Sequence, residues 1–341
     1  MEPVVTALNC VPIIDLTPAR LGSEADKLAV ARQIDQAARS IGFLVVRGHG
    51  VPLDVIEAAS TATRRFYDLP AAEKARSRPA AKGAYRGYFG LETGNLASTI
   101  DEVDAKPDHR EYFTLGPIEV DASDPYYRTE VAQGVFLPNI WPQDPAFRPA
   151  IEAYYRQMER LAGLLMRLCA LGLGLEETWF DDKIDKHTTN LVLSNYPDQP
   201  DGVMEGQLRA GAHTDYGSLT ILKTEDKPGG LEVLTADGRW EAVPIVPDAF
   251  IINLGDLMAY WTNDEWVSTM HRVVNPPPDK AIGSRRQSLV FFHQPNYDAR
   301  IACIPTCTAT APKHPVTTAY AHLQSKMAKM NDTPKFAEAT S

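Results

Sequence analysis

Apolar residues recur at three- and four-residue steps in three stretches of the first half of the chain, and in short, punctuated runs after that. Leu28, Ala31, Ile34 and Ala38 fall on one stripe and predict a helix over 25–40. A second helix is expected over 53–67, ending before Pro70. Ile151, Tyr154, Met158, Leu161, Leu165, Leu168 and Gly172 mark one face of a long amphipathic helix, which Gly172 and Gly174 terminate. Met158 and Met166 on that helix read as core. Residues 11–16 and 41–46 read as short strands, with Pro12 suited to a strand start or edge.

Beyond residue 190 the spacing shortens. Residues 191–197, the stretch around His213, 231–234 and 240–243 about an Asp237-Gly238 turn, and 249–254 all read as strands. So do 257–261 running to an Asn263-Asp264 turn, the stretch around His271, and 288–292. Many short strands at close spacing suggest a sandwich or jelly roll covered by helices, a mostly β fold with flanking helices. No repeat or linker separates the halves. Residues 1–120 are expected to cover a core spanning 121–325, and the polar tail 326–341 is expected to fray.

Composition narrows the function classes. The formal net charge of -10 over 341 residues argues against a nucleic-acid or anionic-membrane binder. No apolar run reaches membrane-spanning length, and Met1-Glu2-Pro3-Val4-Val5 lacks a basic, apolar leader, so a cytoplasmic location is expected. The four cysteines, Cys10, Cys169, Cys303 and Cys307, form no Cys-x-x-Cys pair and read as free thiols, with the roles of Cys303 and Cys307 left open. The oligomeric state is also open, and a monomer is compatible with the sequence.

The candidate chemistry centres on His213-Thr214-Asp215. On a strand, residues two apart share a face, so an imidazole and a carboxylate would converge with Thr214 turned away. Two histidines and a carboxylate form the facial set that non-haem Fe(II) oxygenases use, and His271 is the candidate second histidine. Arg286 and Ser288 share a strand face and offer a fork and a hydroxyl to a carboxylate. Tyr85, Arg86, Tyr216 and Phe292 are candidate substrate-pocket residues, Arg86 as an anion partner. His49, flanked by glycines in a turn, reads as structural. The charges of Lys106-Pro107-Asp108-His109-Arg110-Glu111 read as a solvated face leading into a strand.

In that order, His213-x-Asp215, His271 and Arg286-x-Ser288 resemble the isopenicillin N synthase-like family of Fe(II)/2-oxoglutarate dioxygenases. The likeness covers most of the chain. Residues 11–16, Gly42-Phe43 and 49–52 are similar to the family's opening segment, and Gly255-Asp256, Thr262-Asn263 and 268–273 to its core, with Asn263-Asp264 where the family usually has Asn-Gly. Gly83 to Glu92 is similar to a bacterial antibiotic-tailoring branch. The resemblance implies a double-stranded β-helix (jelly roll) with Fe(II) on His213, Asp215 and His271. It implies that 2-oxoglutarate chelates the iron and sends its distal carboxylate to Arg286 and Ser288, with Tyr196, the Tyr before Pro197, helping to hold it. It also implies O2 as cosubstrate and oxidation of an unactivated C–H bond of a small-molecule substrate, by hydroxylation, desaturation or cyclisation, as in secondary metabolism. Three other readings stay open at this level: a family oxidase that does not use 2-oxoglutarate, an ethylene-forming 2-oxoglutarate dioxygenase, and a non-catalytic ligand sensor.

Overall fold

The computed structural model describes residues 10–80, 84–91, 93–94, 96 and 106–332. The N-terminal leader reading, Gly83 and Glu92 of the aromatic loop, and residues 333–341 of the tail lie outside the described residues.

Twelve strands build two facing sheets. They are β1 (Ile13–Asp15), β2 (Phe43–Arg47), β3 (Gly87–Phe89), β4 (Glu111–Leu115), β5 (Asn190–Tyr196), β6 (Ala210–His213), β7 (Leu219–Thr224), β8 (Leu231–Leu234), β9 (Trp240–Ala242), β10 (Phe250–Leu254), β11 (His271–Val273) and β12 (Arg286–His293). The large sheet runs β1-β2-β10-β7-β12-β5-β4-β3 and the small one β6-β11-β8-β9. Every pair is antiparallel except β1 with β2. Strands from the N-terminal part therefore sit at the edges of the same sheet as strands from the C-terminal part. This arrangement is the jelly roll that the strand spacing suggested.

Alternation assigns the two faces of the large sheet. Leu44, Ile252, Ile221, Leu289, Phe291, Leu193 and Phe113 belong to one apolar core with the helices Glu24–Ser40, Leu53–Tyr67 and Phe147–Gly172. The long helix buries Ile151, Tyr154, Met158, Leu161 and Leu165 in that core. Residues of opposite parity face the small sheet. At one end Phe43, Val45 and Ile251 pack on Leu231 and Val233 in a second apolar cluster. The remaining interior is lined by polar side chains.

Three expectations change. Residues 257–261 form the helix Asp256–Trp261, not a strand, and Asn263 and Asp264 take positive φ of 56° and 62° just after it. The segment from 326 begins as helix: Ala319–Asp332 runs into it, and Lys326 pairs with Asp256 at 2.6 Å. The charges at 108–111 are not a solvated face. Asp108 and Glu111 are buried, and Glu111 takes Lys74 Nζ at 2.7 Å, the Tyr88 hydroxyl at 2.5 Å and Asn195 Nδ2 at 2.9 Å. Strand alternation sends Glu111 and Phe113 one way and Arg110, Tyr112 and Thr114 the other, so a charged run straddles the sheet.

Removing one member of a buried, hydrogen-bonded ion pair leaves the other without compensation. Glu111→Ala should therefore lower unfolding free energy by about 3–5 kcal/mol. Urea denaturation measures this, and a loss below about 1 kcal/mol would mean that the network is not a stabilising one.

Candidate active site

β6 and β11 are neighbours in the small sheet, and their register sets His213 directly opposite His271. The two imidazole centroids are 4.3 Å apart. β6 ends at His213, so Asp215 lies in the loop to β7 and not on the strand the spacing suggested. The loop nevertheless returns its carboxylate to the histidines: Asp215 Oδ1 is 3.7 Å from each Nε2. Among the described residues, His213, Asp215 and His271 are the group of potential ligands whose atoms lie within 4.8 Å of one another, and all three are buried.

The remaining polar atoms of the triad are already engaged. His213 Nδ1 bonds Gly211 O at 2.7 Å and His271 Nδ1 bonds Thr269 O at 3.0 Å. A carbonyl accepts only from N–H, so each Nδ1 carries the proton and each Nε2 keeps its lone pair for the centre. Asp215 Oδ2 accepts from Thr220 Oγ1 at 2.6 Å and Asn253 Nδ2 at 2.7 Å, leaving Oδ1 free to ligate. Ligand atoms about 2.1 Å from an ion and at right angles sit roughly 3 Å apart, so a small contraction would seat a divalent metal. The donor set of two nitrogens and one carboxylate oxygen fits iron. Burial and the facing His271 push His213 down to about 3, so it is neutral and ready to ligate. Burial drives Asp215 upward, but the His271 and His213 rings and the bonds from Asn253 and Thr220 outweigh it and hold the carboxyl below its ordinary range.

The ligand loop is pinned from behind. Asp256 N donates to Asp215 O at 2.7 Å, and Thr214 Oγ1 donates to Asp256 Oδ2 at 3.2 Å. Gly217 and Gly255 pack so closely that a Cβ on Gly255 would lie 2.3 Å from Gly217 O. Asn253 and Thr220 were missed at the sequence level. A lone Asn in the apolar run Phe250–Leu254 was the available signal.

β12 lies between β5 and β7, with Arg286 opposite Tyr196 and Ser288 opposite Ser194 and Thr224. Arg286 is 1% exposed. Nη1 donates to Gly229 O at 2.9 Å and Nη2 to Thr224 Oγ1, while Nε has no hydrogen-bond partner. No carboxylate among the described residues forms an ion pair with it. Ser288 Oγ is 3.0 Å from Thr224 Oγ1. Burial lowers the Arg286 pKa while Tyr196 opposes that shift. Glu225 and Asp226 act on it from beyond ion-pair distance, and a buried guanidinium with an open donor and no direct ion pair among the described residues is suited to an incoming carboxylate.

The other candidates separate. Phe292 is half-buried on the interior face, in register with Thr220, which bonds Asp215. Tyr216 is half-buried in the ligand loop. Tyr85 stands on a wall with Phe89 and Tyr112. Arg86 is not available to an anion: its guanidinium donates to the carbonyls of Tyr85, Val135 and Leu137 and to Asn190 Oδ1. His49 is structural, bonding Asp248 O and Val51 N. The four cysteines are free thiols.

His293, the next histidine downstream, points away from the triad into the core face. Its Nδ1 is 2.7 Å from Ser218 Oγ. Burial and the neighbouring His187 push it down to about 3. Its folded pKa is below the unfolded value of about 6.5, so the unfolded chain binds the proton first as pH falls. The stability tied to neutral His293 is present above about pH 6.5 and is lost toward about pH 3, with a limiting slope of about 1.4 kcal/mol per pH unit. Urea titrations between about pH 7 and pH 5 should show stability falling as pH falls, and the slope should be smaller in His293→Gln by up to that amount. An identical slope in the variant would contradict the assignment.

Comparison with known proteins agrees with this geometry. Residues 11–144 match the family profile of the non-haem dioxygenase in morphine synthesis N-terminal region, and residues 188–295 that of the 2OG-Fe(II) oxygenase superfamily. The chain is 35% identical to validamycin A dioxygenase of Streptomyces hygroscopicus subsp. limoneus, over 85% of this chain and 78% of that protein. It is 33% identical to the 2-oxoglutarate-Fe(II) type oxidoreductase hxnY of Emericella nidulans, over 89% and 85%. Among solved structures, a full-length Neurospora crassa protein in complex with alpha-KG superposes with a TM-score of 0.81 at 30% identity, covering 93% of this chain and 96% of that one. No helix among the described residues is long and apolar enough to cross a membrane. By profile, sequence and fold, the chain belongs to the 2OG-Fe(II) oxygenase superfamily, enzymes that use iron(II), 2-oxoglutarate and O2.

Proposed function

We propose that this oxygenase holds its iron on His213, Asp215 and His271. Its 2-oxoglutarate is held at the distal end by Arg286 and Ser288 with help from Tyr196, and it oxidises an unactivated C–H bond of a small organic molecule. The observation that carries this reading is the set of engaged atoms. In each triad residue one polar atom is tied to the scaffold and the other faces a common point. In the same interior, Arg286 lies buried with its Nε unbonded and no direct ion pair among the described residues.

Bound iron, 2-oxoglutarate and O2 would supply the oxidising power, with the keto acid leaving as succinate and CO2. The chain's own residues orient and exclude. The carbonyls of Gly211 and Thr269 fix both imidazole tautomers. Thr220 and Asn253 keep the Asp215 carboxylate ionised and fixed in orientation. Arg286 and Ser288 share a strand face two residues apart, so together they offer a fork and a hydroxyl to one carboxylate. Phe292 and Val290, half-buried on that face, help to keep water from the reacting end. Relatives include proteins named for validamycin A and homoarginine, and solved neighbours hold thymine or JA. That range supports a small-molecule substrate without choosing one.

His213→Ala or His271→Ala should abolish most iron binding and succinate release while leaving the circular dichroism spectrum unchanged, because the site is grafted on the scaffold. Full iron occupancy in His271→Ala would refute the ligand set. Arg286→Ala leaves a carboxylate without its partner, at about 3–5 kcal/mol, and should raise the 2-oxoglutarate concentration for half-maximal succinate release by roughly two to nearly four decades. Ser288→Ala removes one bond and should cost about 1–3 kcal/mol. Arg286→Lys keeps the charge, loses the fork and should fall between wild type and Arg286→Ala. An unchanged 2-oxoglutarate dependence in Arg286→Ala would show that the carboxylate docks elsewhere, and turnover of a substrate without 2-oxoglutarate would favour an oxidase.

A further inference from the structure

Among the described residues, the iron and 2-oxoglutarate assignments leave the buried Arg110 guanidinium unused. Phe89 lies opposite Tyr112, Tyr112 opposite Ser194, and Ser194 opposite Ser288, so the four share one face of the large sheet. The Phe89 and Tyr112 rings stack at 4.9 Å and 11°. The Tyr85 ring adds to this wall, 5.7 Å from Phe89 and 6.4 Å from Tyr112, and Tyr85 is 42% exposed. The Arg110 guanidinium lies over the Tyr112 ring at 5.0 Å.

Arg110 is poorly satisfied for a buried cation. Its side chain is 11% exposed. Among the described residues, its guanidinium makes a long hydrogen bond, Nη1 to Ser194 Oγ at 3.4 Å. Asp108 is its ion-pair partner, yet the 3.5 Å approach to Nε forms no hydrogen bond. The Asp108 carboxylate is instead held by backbone, accepting from Gly211 N at 2.9 Å and Leu96 N at 3.3 Å. A guanidinium has five donors, and burying it without acceptors is costly. Burial works against its charge, but Asp108 and Tyr196 outweigh burial and keep it protonated. Gly211 N donates to Asp108, and Gly211 O meets His213 Nδ1 at 2.7 Å, so the Arg110–Asp108 pair stands beside the strand that carries His213.

We propose that Arg110 and the Tyr85–Phe89–Tyr112 wall form the substrate subsite, and that the substrate is a small organic carboxylic acid. Its carboxylate would take the Arg110 fork and its carbon body would lie along the aromatic rings. The guanidinium geometry favours a carboxylate over a neutral carbonyl because a carboxylate accepts two parallel bonds. This subsite rests on the function proposed above and deepens it.

Matched acids and primary amides provide the test: benzoate, phenylacetate and hexanoate against benzamide, phenylacetamide and hexanamide. Binding is read by calorimetry on the full chain loaded with Mn(II) and 2-oxoglutarate, and stimulation of succinate release is read with Fe(II). At least one acid should bind the wild type roughly tenfold or more tighter than its amide, each decade being about 1.4 kcal/mol. Arg110→Met should erase that preference, and Arg110→Lys should retain part of it. Should Arg110→Met fail to fold, Arg110→Lys and Tyr112→Leu carry the comparison, and both should weaken acid binding. A wild type with no acid preference, or an acid preference that survives Arg110→Met unchanged, would overturn the proposal. A wild type that neither binds 2-oxoglutarate nor releases succinate would remove the proposed function as well, so the two failures are distinguishable.

Discussion

The antiparallel register of β6 and β11 is the constraint on which the rest of the site depends. It places His213 opposite His271, so that two imidazoles meet at 4.3 Å across a sheet. Nothing in that pairing alone selects a metal site. The selection comes from hydrogen bonds that use up the wrong atoms: two carbonyls take the Nδ1 protons, and Thr220 and Asn253 take one oxygen of Asp215. A one-residue slip of β11 would turn His271 to the opposite face and dissolve the convergence. The glycine contact behind the loop and the Asp256 bonds to Thr214 and Asp215 hold the Asp215 carboxylate against that pair.

The large sheet separates stability from chemistry by its two-residue alternation. Its outer face is apolar except for the Glu111, Asn195 and Gln287 end and packs on three helices, the longest of them 26 residues. Its inner face carries Thr220, Thr224, Ser194, Tyr112, Ser288 and Arg286. The helices pack on the opposite face, and the inner face keeps polar groups with few partners among the described residues. The buried Nε of Arg286 and the weakly bonded Arg110 are two such groups. Their cost is carried by the apolar cores on either side.

Much of this was legible in the sequence because it depends on local periodicity and on residues two apart. The helix predicted over 53–67 is the helix Leu53–Tyr67, and the Asp237-Gly238 hairpin joins β8 to β9. His213, Asp215 and His271 were readable as a set because their chemistry is distinctive and their order is specific. What escaped was what depends on partners far away in sequence. Glu111 is charged and buried because Lys74, Tyr88 and Asn195 surround it, which no local pattern shows. Arg86 looked like an open cation in a glycine-rich loop, but backbone carbonyls from residues 135 and 137 close on it. The Asp256–Trp261 segment is apolar and short, where a helix and a strand have the same composition.

A structure of the protein with Mn(II) and 2-oxoglutarate tests the central claim most directly, since Mn(II) occupies such a site without turnover. The metal should lie within about 2.3 Å of His213 Nε2, Asp215 Oδ1 and His271 Nε2, with the distal carboxylate of 2-oxoglutarate on Arg286 and Ser288. A metal bound away from these three atoms, or a 2-oxoglutarate whose distal carboxylate sits on Arg110 instead, would contradict it.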